Sequence, residues 1–299
     1  MKPILVGQDA VDDLLRVLDL ERIDVNIFRG VGPQVSPQRV FGGQVAGQAL
    51  VAAGRTVDPG RRVHSLHGYF VRPGDSTKPI IYQVDNIRDG RSFSVRRTTA
   101  QQNGHTIFFM SASFHTGESG GLEHSEALSP PAPPPEEVPS LVDRLADQPE
   151  RLGIWARTPR PIDVRYIGES GYVASGERPA ANRQRVWMRC EGTLPDDPLL
   201  HVCVLTYASD LTLLDSVLNR HGQVWGPGGY LGTSLDHALW FHRPFRADEW
   251  FLYDSESPSA ADGRGLATGR FFTADGGHIA TAVQEGLLRA APLVPPGVP

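Results

Sequence analysis

Short runs of alternating apolar and polar residues, separated by turn dipeptides, cover much of the chain. Ile80-Ile81-Tyr82-Gln83-Val84 leads into Asp89-Gly90-Arg91, and Phe93-Ser94-Val95-Arg96 leads away from it. Asn103-Gly104-His105 follows, then the apolar run Ile107–Met110. Period-two alternation around Asp-Gly and Asn-Gly predicts antiparallel strands joined by hairpins, because these residues tolerate positive φ. The same pattern predicts strands over Glu249–Glu256, Gly265–Thr273 and His278–Leu288, around Asp262-Gly263-Arg264 and Asp275-Gly276-Gly277-His278. Two segments break the alternation. Phe41–Ala53 is rich in small and apolar residues, and Leu199–Leu218 is largely apolar around a helical circumference. A helix without a polar face is buried. The glycines of the first segment also permit close backbone contact.

The two sets repeat each other. Arg72-Pro73 and the two turn signals that follow it recur as Arg243-Pro244 and its two turns, at an offset of about 172 residues. The expected fold class is α+β: two tandem antiparallel sheets, each wrapped around a central helix, the layout of a double hotdog. Between the sets, from about Thr116 to Pro139, TGESGGLEHSEALS runs into PPAPPPEEVP. Proline this dense fits neither a helix nor a sheet interior, which predicts an extended connector. The expected organisation is an N-terminal unit over residues 1–115, a linker over 116–150 and a C-terminal unit over 151–299.

Composition narrows the function classes. With 40% hydrophobic and 21% charged residues among 299, the chain is an ordinary globular protein rather than a disordered one. A net charge of −5 argues against a nucleic-acid partner. Lys2 and Lys78 are the only lysines, so nearly all cations are arginine. No apolar run is long enough to span a bilayer. The start, MKPILVGQDAVDD, turns acidic at once, unlike a secretory signal. Cys190 and Cys203 are too few for a disulfide framework or a zinc site, so a cytoplasmic protein without a metal is expected.

Seven ordered blocks carry a resemblance to a known family: Arg39–Leu50, Val63–Val84, Ile87–Arg97, Gln102–Phe114, Tyr207–Leu211 (YASDL), Ser234–Phe245 (SLDHALWFHRPF) and Thr281–Arg289 (TAVQEGLLR). From about Leu14 to Arg289 the chain resembles acyl-CoA thioesterase II. The resemblance implies a double hotdog and hydrolysis of medium- to long-chain fatty acyl-CoA to fatty acid and CoA. It also implies no cofactor and association into homo-oligomers. It implies a catalytic Asp, Thr or Ser, and Gln that together position the attacking water. These fall on Asp210, Ser234 and Gln284. Family members with Thr at the Ser234 position raise Thr233 as an alternative, but neighbours on a strand face opposite ways. The ungapped run Ser234-Leu235-Asp236-His237 selects Ser234.

Thioester hydrolysis needs an oriented water, a base for its proton and donors for the oxyanion. Asp210 suits the base, and Ser234 and Gln284 are neutral groups that can hold it. Gly42 and Gly43, opening the first central helix, are candidate oxyanion donors through their backbone amides. Aligning the halves sets Val63 opposite Ser234, Ser111 opposite Gln284 and the Gly42 region opposite Asp210, so one competent site per chain is expected. His64 is a minor catalytic candidate; His64 and His67, three apart on a strand, are expected on opposite faces. Gly117-Glu118-Ser119-Gly120-Gly121 matches a nucleophile-elbow pattern, but a proline-rich stretch follows it instead of a helix. Tyr69, Phe70, Trp240 and Phe241 read as core or as walls of an acyl tunnel, the core being the default. Arg72, Arg91, Arg243 and Arg264 read as paired structural groups before phosphate ligands, since a single asymmetric ligand does not need symmetric cations. A hydratase on the same fold is disfavoured because no His follows Asp210 before His221. A non-catalytic acyl-CoA sensor is the other alternative, and it would lack the Asp–Ser–Gln set.

Overall fold

The computed structural model describes residues 4–33, 39–118, 120–149, 152, 158–170 and 181–292. Its first half contains α1 (Gly7–Leu18), β1 (Glu21–Asp24), β2 (Ile27–Gly30), α2 (Gly42–Gly54), β3 (Arg62–Phe70), β4 (Ile80–Asp89), β5 (Phe93–Gln102) and β6 (His105–His115). After the proline-rich stretch come α3 (Leu141–Arg144), β7 (Ile162–Ile167), β8 (Arg183–Cys190), α4 (Pro198–Ser209), α5 (Asp215–Arg220) and β9 (Tyr230–Ser234). The last strands are β10 (Asp236–Phe241), β11 (Phe251–Ala261), β12 (Arg264–Thr273) and β13 (His278–Ala290).

The strand order is β1-β2-β4-β5-β6-β3-β10-β13-β12-β11-β8-β7, with β9 also paired to β13. Read from the centre outward, β3, β6, β5 and β4 are matched by β10, β13, β12 and β11, so the repeat in the sequence is a repeat in the sheet. This is the expected double hotdog, and its two sheets meet edge to edge. The antiparallel pair β3·β10, with Tyr69 opposite Asp236 and Ser65 opposite Trp240, joins them into one. The hairpin signals act as expected where the turn is tightest. Asn103-Gly104 and Asp262-Gly263 are two-residue turns with φ of 51° and 76°, and of 53° and 74°. Both central residues have positive φ, which the twist of a two-residue hairpin requires.

α2 runs through the first sheet's concavity with every residue from Gly43 to Ala53 buried. Its one long polar side chain in mid-helix, Gln48, is satisfied there: Nε2 donates to the Val17 and Val31 carbonyls, and Oε1 accepts from the Tyr82 hydroxyl at 2.7 Å. α1 packs over it with Ala10, Val11, Leu14, Val17 and Leu18 inward. The expected single helix over Leu199–Leu218 is instead α4 and α5, separated by a turn at Asp210–Leu214. Two carbonyls next to the break have side-chain partners. Those of Thr206 and Ser209 would serve amides of a continuing helix. They instead accept from the hydroxyls of Ser209 (2.8 Å) and Tyr253 (3.2 Å).

Among its described residues the proline-rich stretch has no strand or α-helix before Pro139 and one 3-10 turn at Pro135–Glu137, and it is docked. Trp187 Nε1 donates to the Pro133 carbonyl, Arg185 to Pro130 and Pro131, and Arg165 to Pro135 and Val138. Leu128, Ala132 and Val138 pack with Trp187, Leu252 and Phe272 on the outer side of the second half. Beyond Pro139, Leu141 and Leu145 enter the main core, so the end of the 116–150 segment is not a free connector.

α2 and α4 cross closely because glycines line the contact. A Cβ on Gly43 would overlap the Tyr207 carbonyl oxygen, and one on Gly47 would lie 3.3 Å from both the Cys203 carbonyl oxygen and Leu18 Cδ2. A larger side chain at Gly47 has to push the helices apart. Gly47→Leu is expected to lower folding stability by about 1–3 kcal/mol, read from the urea midpoint. An unchanged midpoint would show that the crossing tolerates expansion.

Candidate active site

The α2–α4 crossing brings the start of one helix to the end of the other. Asp210 is the C-cap of α4, with φ −87° and ψ −2°. Gly42 opens α2 against it, and a Cβ there would stand 2.6 Å from Asp210 Oδ2 and 3.0 Å from the Phe70 ring. The Gly43 amide donates to the Asp210 carboxylate. β9 and β13 supply the other partners. Gln284 Nε2 donates to Asp210 Oδ1 at 2.6 Å and to Ser234 Oγ at 2.9 Å. The Ser234 hydroxyl donates to the same Oδ1 at 3.3 Å. The structure thus brings Asp210, Ser234, Gln284 and the Gly42-Gly43 helix start together, although they span more than 240 residues of chain.

Burial pushes the Asp210 carboxyl up to about 6, against the downward pull of Gln284, Gly43 and Ser234. Desolvation penalises the charged form, and the three donors favour it. A carboxylate with such a value is ionised near neutral pH yet basic enough to take a proton. Gln284 is wholly buried, and its Oε1 has no partner among the described residues.

Asp210 and Ser234 line a cavity of about 1190 Å³. On one side its walls are Leu14 and Val17 of α1 with Val45, Phe41 and Tyr207. On the other they are Leu211, Leu214, Trp225 and Tyr230. Among the described residues, no group of three or more His, Cys, Asp or Glu side chains could hold a metal ion. No helix among them is long and apolar enough to cross a membrane.

Other expected positions fall elsewhere. His64 is outside the cavity. A bulge between Val63 and Ser65 turns its ring to the outer face, where Nε2 lies 2.8 Å from Ser113 Oγ. Exposed His67 is on that same face, so the bulge overturns the opposite-face expectation. Ser111 likewise faces out, and the inward neighbour that corresponds to Gln284 is Ala112. At the C-cap of α2, in the place Asp210 takes on α4, stands Arg55. With Val63 and Ala112 nearby in the repeat, the first half lacks the second half's polar set. Tyr69 and Trp240 are not core: they alternate with buried Gly68 and Leu239 and are 47% and 43% exposed. Phe70 lines the cavity, and Phe241 packs against the core. Arg72 and Arg243 donate to the Thr106 and His278 carbonyls, Arg72 also lines the cavity, and Arg264 pairs with Glu285. Ser119 of the elbow-like pattern lies outside the described residues. Two features were not anticipated. α1 supplies a cavity wall, and its apolar residues 10, 11, 14, 17 and 18 do carry a helical period. The Gly43 amide serves the carboxylate, a contact that no local pattern signals.

Known proteins are similar to this chain in sequence and fold. A family model described as acyl-CoA thioesterase matches residues 168–287, and one described as acyl-CoA thioesterase N-terminal domain matches residues 32–115. A solved acyl-CoA thioesterase II, TesB2, from Mycobacterium marinum is 44% identical, with a TM-score of 0.75 over 95% of this chain and 100% of its own. Acyl-coenzyme A thioesterase 8 from Homo sapiens is 40% identical over 93% of this chain and 89% of its own. Acyl-CoA thioesterase 2 from Haemophilus influenzae is 38% identical over 94% and 98%. With these matches in both halves, the chain belongs to the acyl-CoA thioesterase II family.

Proposed function

We propose that the chain hydrolyses medium- to long-chain fatty acyl-CoA to free fatty acid and CoA, with Asp210 as the base that activates water. The observation that carries this reading is a buried carboxylate, raised to about 6, opening on a cavity with apolar walls. The names of the human and Haemophilus relatives support acyl-CoA as the substrate class. In the first step water attacks the thioester carbonyl carbon while its proton passes to Asp210. Ser234 and Gln284 hold the carboxylate and the water in register. The tetrahedral oxyanion then collapses, the C–S bond breaks, and the CoA thiolate takes the proton back from Asp210. No covalent acyl-enzyme is needed, because a thiolate leaves readily.

Of the two amides expected to hold the oxyanion, that of Gly43 already donates to Asp210. The oxyanion is therefore assigned to the Gly42 amide and the positive end of α2. Gly42→Ala would press a methyl group on Asp210 Oδ2 and the Phe70 ring. It should cut kcat by roughly 10- to 100-fold, since small displacements of reacting groups are this costly. A folded Gly42→Ala enzyme with normal kcat would contradict the close approach of Gly42 to Asp210 on which this assignment rests.

The direct test is release of CoA from decanoyl-CoA and palmitoyl-CoA, followed with a thiol-reactive dye, in the wild type and in Asp210→Asn. The wild type should turn over and the variant should lose nearly all activity while remaining folded. Full activity in the variant would move the base elsewhere. The raised carboxyl also has a stability consequence. The folded chain holds the proton where the unfolded chain has lost it, so this contribution is complete below the unfolded value and is lost as pH rises through about 6. Above that pH, Asp210→Asn should melt at a higher temperature than the wild type, with the two converging in acid. A lower melting temperature of the variant there would contradict a desolvated carboxylate.

A further inference from the structure

The end of α4 is fixed by a residue outside the Asp–Ser–Gln set. His237 lies on β10, three residues after Ser234, with its side chain inward and the residue 1% exposed. β10 pairs with β13 through Ala238 opposite Val283, which sets His237 beside Gln284 on the inner side of the sheet. Its Nε2 is 2.7 Å from Ser209 Oγ. The Ser209 hydroxyl donates onward to the Thr206 carbonyl, so His237 Nε2–H is the donor to Ser209. The Nδ1 atom has no partner among the described residues, which fits a neutral ring in one tautomer. This relay bonds Ser209, the last residue of α4 and the neighbour of Asp210, to the sheet through β10.

We infer that His237 is a positioning residue for Asp210, holding Ser209 at the end of α4 beside Gln284 and so aiming the carboxylate at the other two groups. The inference rests on the proposed role of Asp210. His237 touches neither substrate nor water in this scheme. One sheet carries all the fixed points: Ser234 on β9, His237 on β10 and Gln284 on β13. Only Asp210 comes from a helix, and so only Asp210 needs a tether to the sheet. The Tyr253 hydroxyl on the Ser209 carbonyl is a second tether from β11, but it does not hold the Ser209 side chain.

Four variants test this: His237→Leu, His237→Gln, Ser209→Ala and the double variant His237→Leu/Ser209→Ala. Each is assayed with decanoyl-CoA and checked for folding by circular dichroism. His237→Leu should lose roughly 10- to 100-fold in kcat with KM little changed, as expected for a displaced reacting group. His237→Gln, which can still donate from the Nε2 position, should recover to within roughly fivefold of the wild type. The double variant should be no worse than the poorer single one, because both act through one hydrogen bond. An activity-independent readout is the titration of the Asp210 carboxyl carbon by NMR. In His237→Leu its midpoint should fall towards the ordinary carboxylate value as the group swings toward water. Normal kcat and an unmoved Asp210 midpoint in folded His237→Leu would overturn the inference, as would additive losses in the double variant. If His237→Leu does not fold, Ser209→Ala and His237→Gln carry the same comparison. A wild type with no thioesterase activity would instead overturn the proposed function, and the Asp210 midpoint would still decide the role of His237.

Discussion

Two buried helices meet at a distance only glycine allows, and the site depends on that contact. Gly43 and Gly47 of α2 lie against the backbone of α4 at Tyr207 and Cys203. The helices run in opposite directions, since Gly54 at the end of α2 meets Leu199 at the start of α4. Each helix end therefore faces the opposite end of its neighbour. At one junction the orphan amides of α2 look at Asp210, and the two sheets close around the pair. A bulkier residue in the stripe would part the helices and separate the Gly43 amide from the carboxylate it serves.

The junction sets the electrostatics as well as the distances. Burial raises the Asp210 carboxyl, and three donors lower it. Their opposition leaves it at about 6. The C-terminal end of α4 carries partial negative charge and disfavours the anion, whereas the N-terminal end of α2 favours it. The other junction of the same crossing carries Arg55 at the equivalent cap, with Val63 and Ala112 in the repeat. Duplication has thus supplied two similar frames and one polar set. The two halves divide the labour: the first gives the helix start and a cavity wall, and the second gives the carboxylate and its neutral partners.

The frame was legible in the sequence because its signals are local. Asn103-Gly104 and Asp262-Gly263 announce hairpins by their own backbone preferences, and the apolar Phe41–Ala53 segment announces a buried helix. The misreadings share a cause, which is that distant residues decide them. α4 stops at Ser209, where Tyr253 and His237, on other elements, bond its last residue. The bulge at His64 moves that ring to the outer face, and the inward position matching Gln284 proves to be Ala112 rather than its neighbour Ser111. The proline-rich stretch was readable as extended, but its docking needs Trp187, Arg185 and Arg165 from strands far along the chain. The Asp–Ser–Gln set was accessible only through family resemblance, since nothing in its spacing shows convergence.

The balance of burial against hydrogen bonding at Asp210 can be measured without substrate. The carboxyl-carbon NMR resonance of Asp210, assigned by its loss in Asp210→Asn, would be followed against pH. A midpoint of about 6 is expected if the helix junction desolvates the group and the donors hold it. A midpoint at about 3.9, the ordinary aspartate value, would mean that Asp210 is solvated like any surface carboxylate and is not poised as a base.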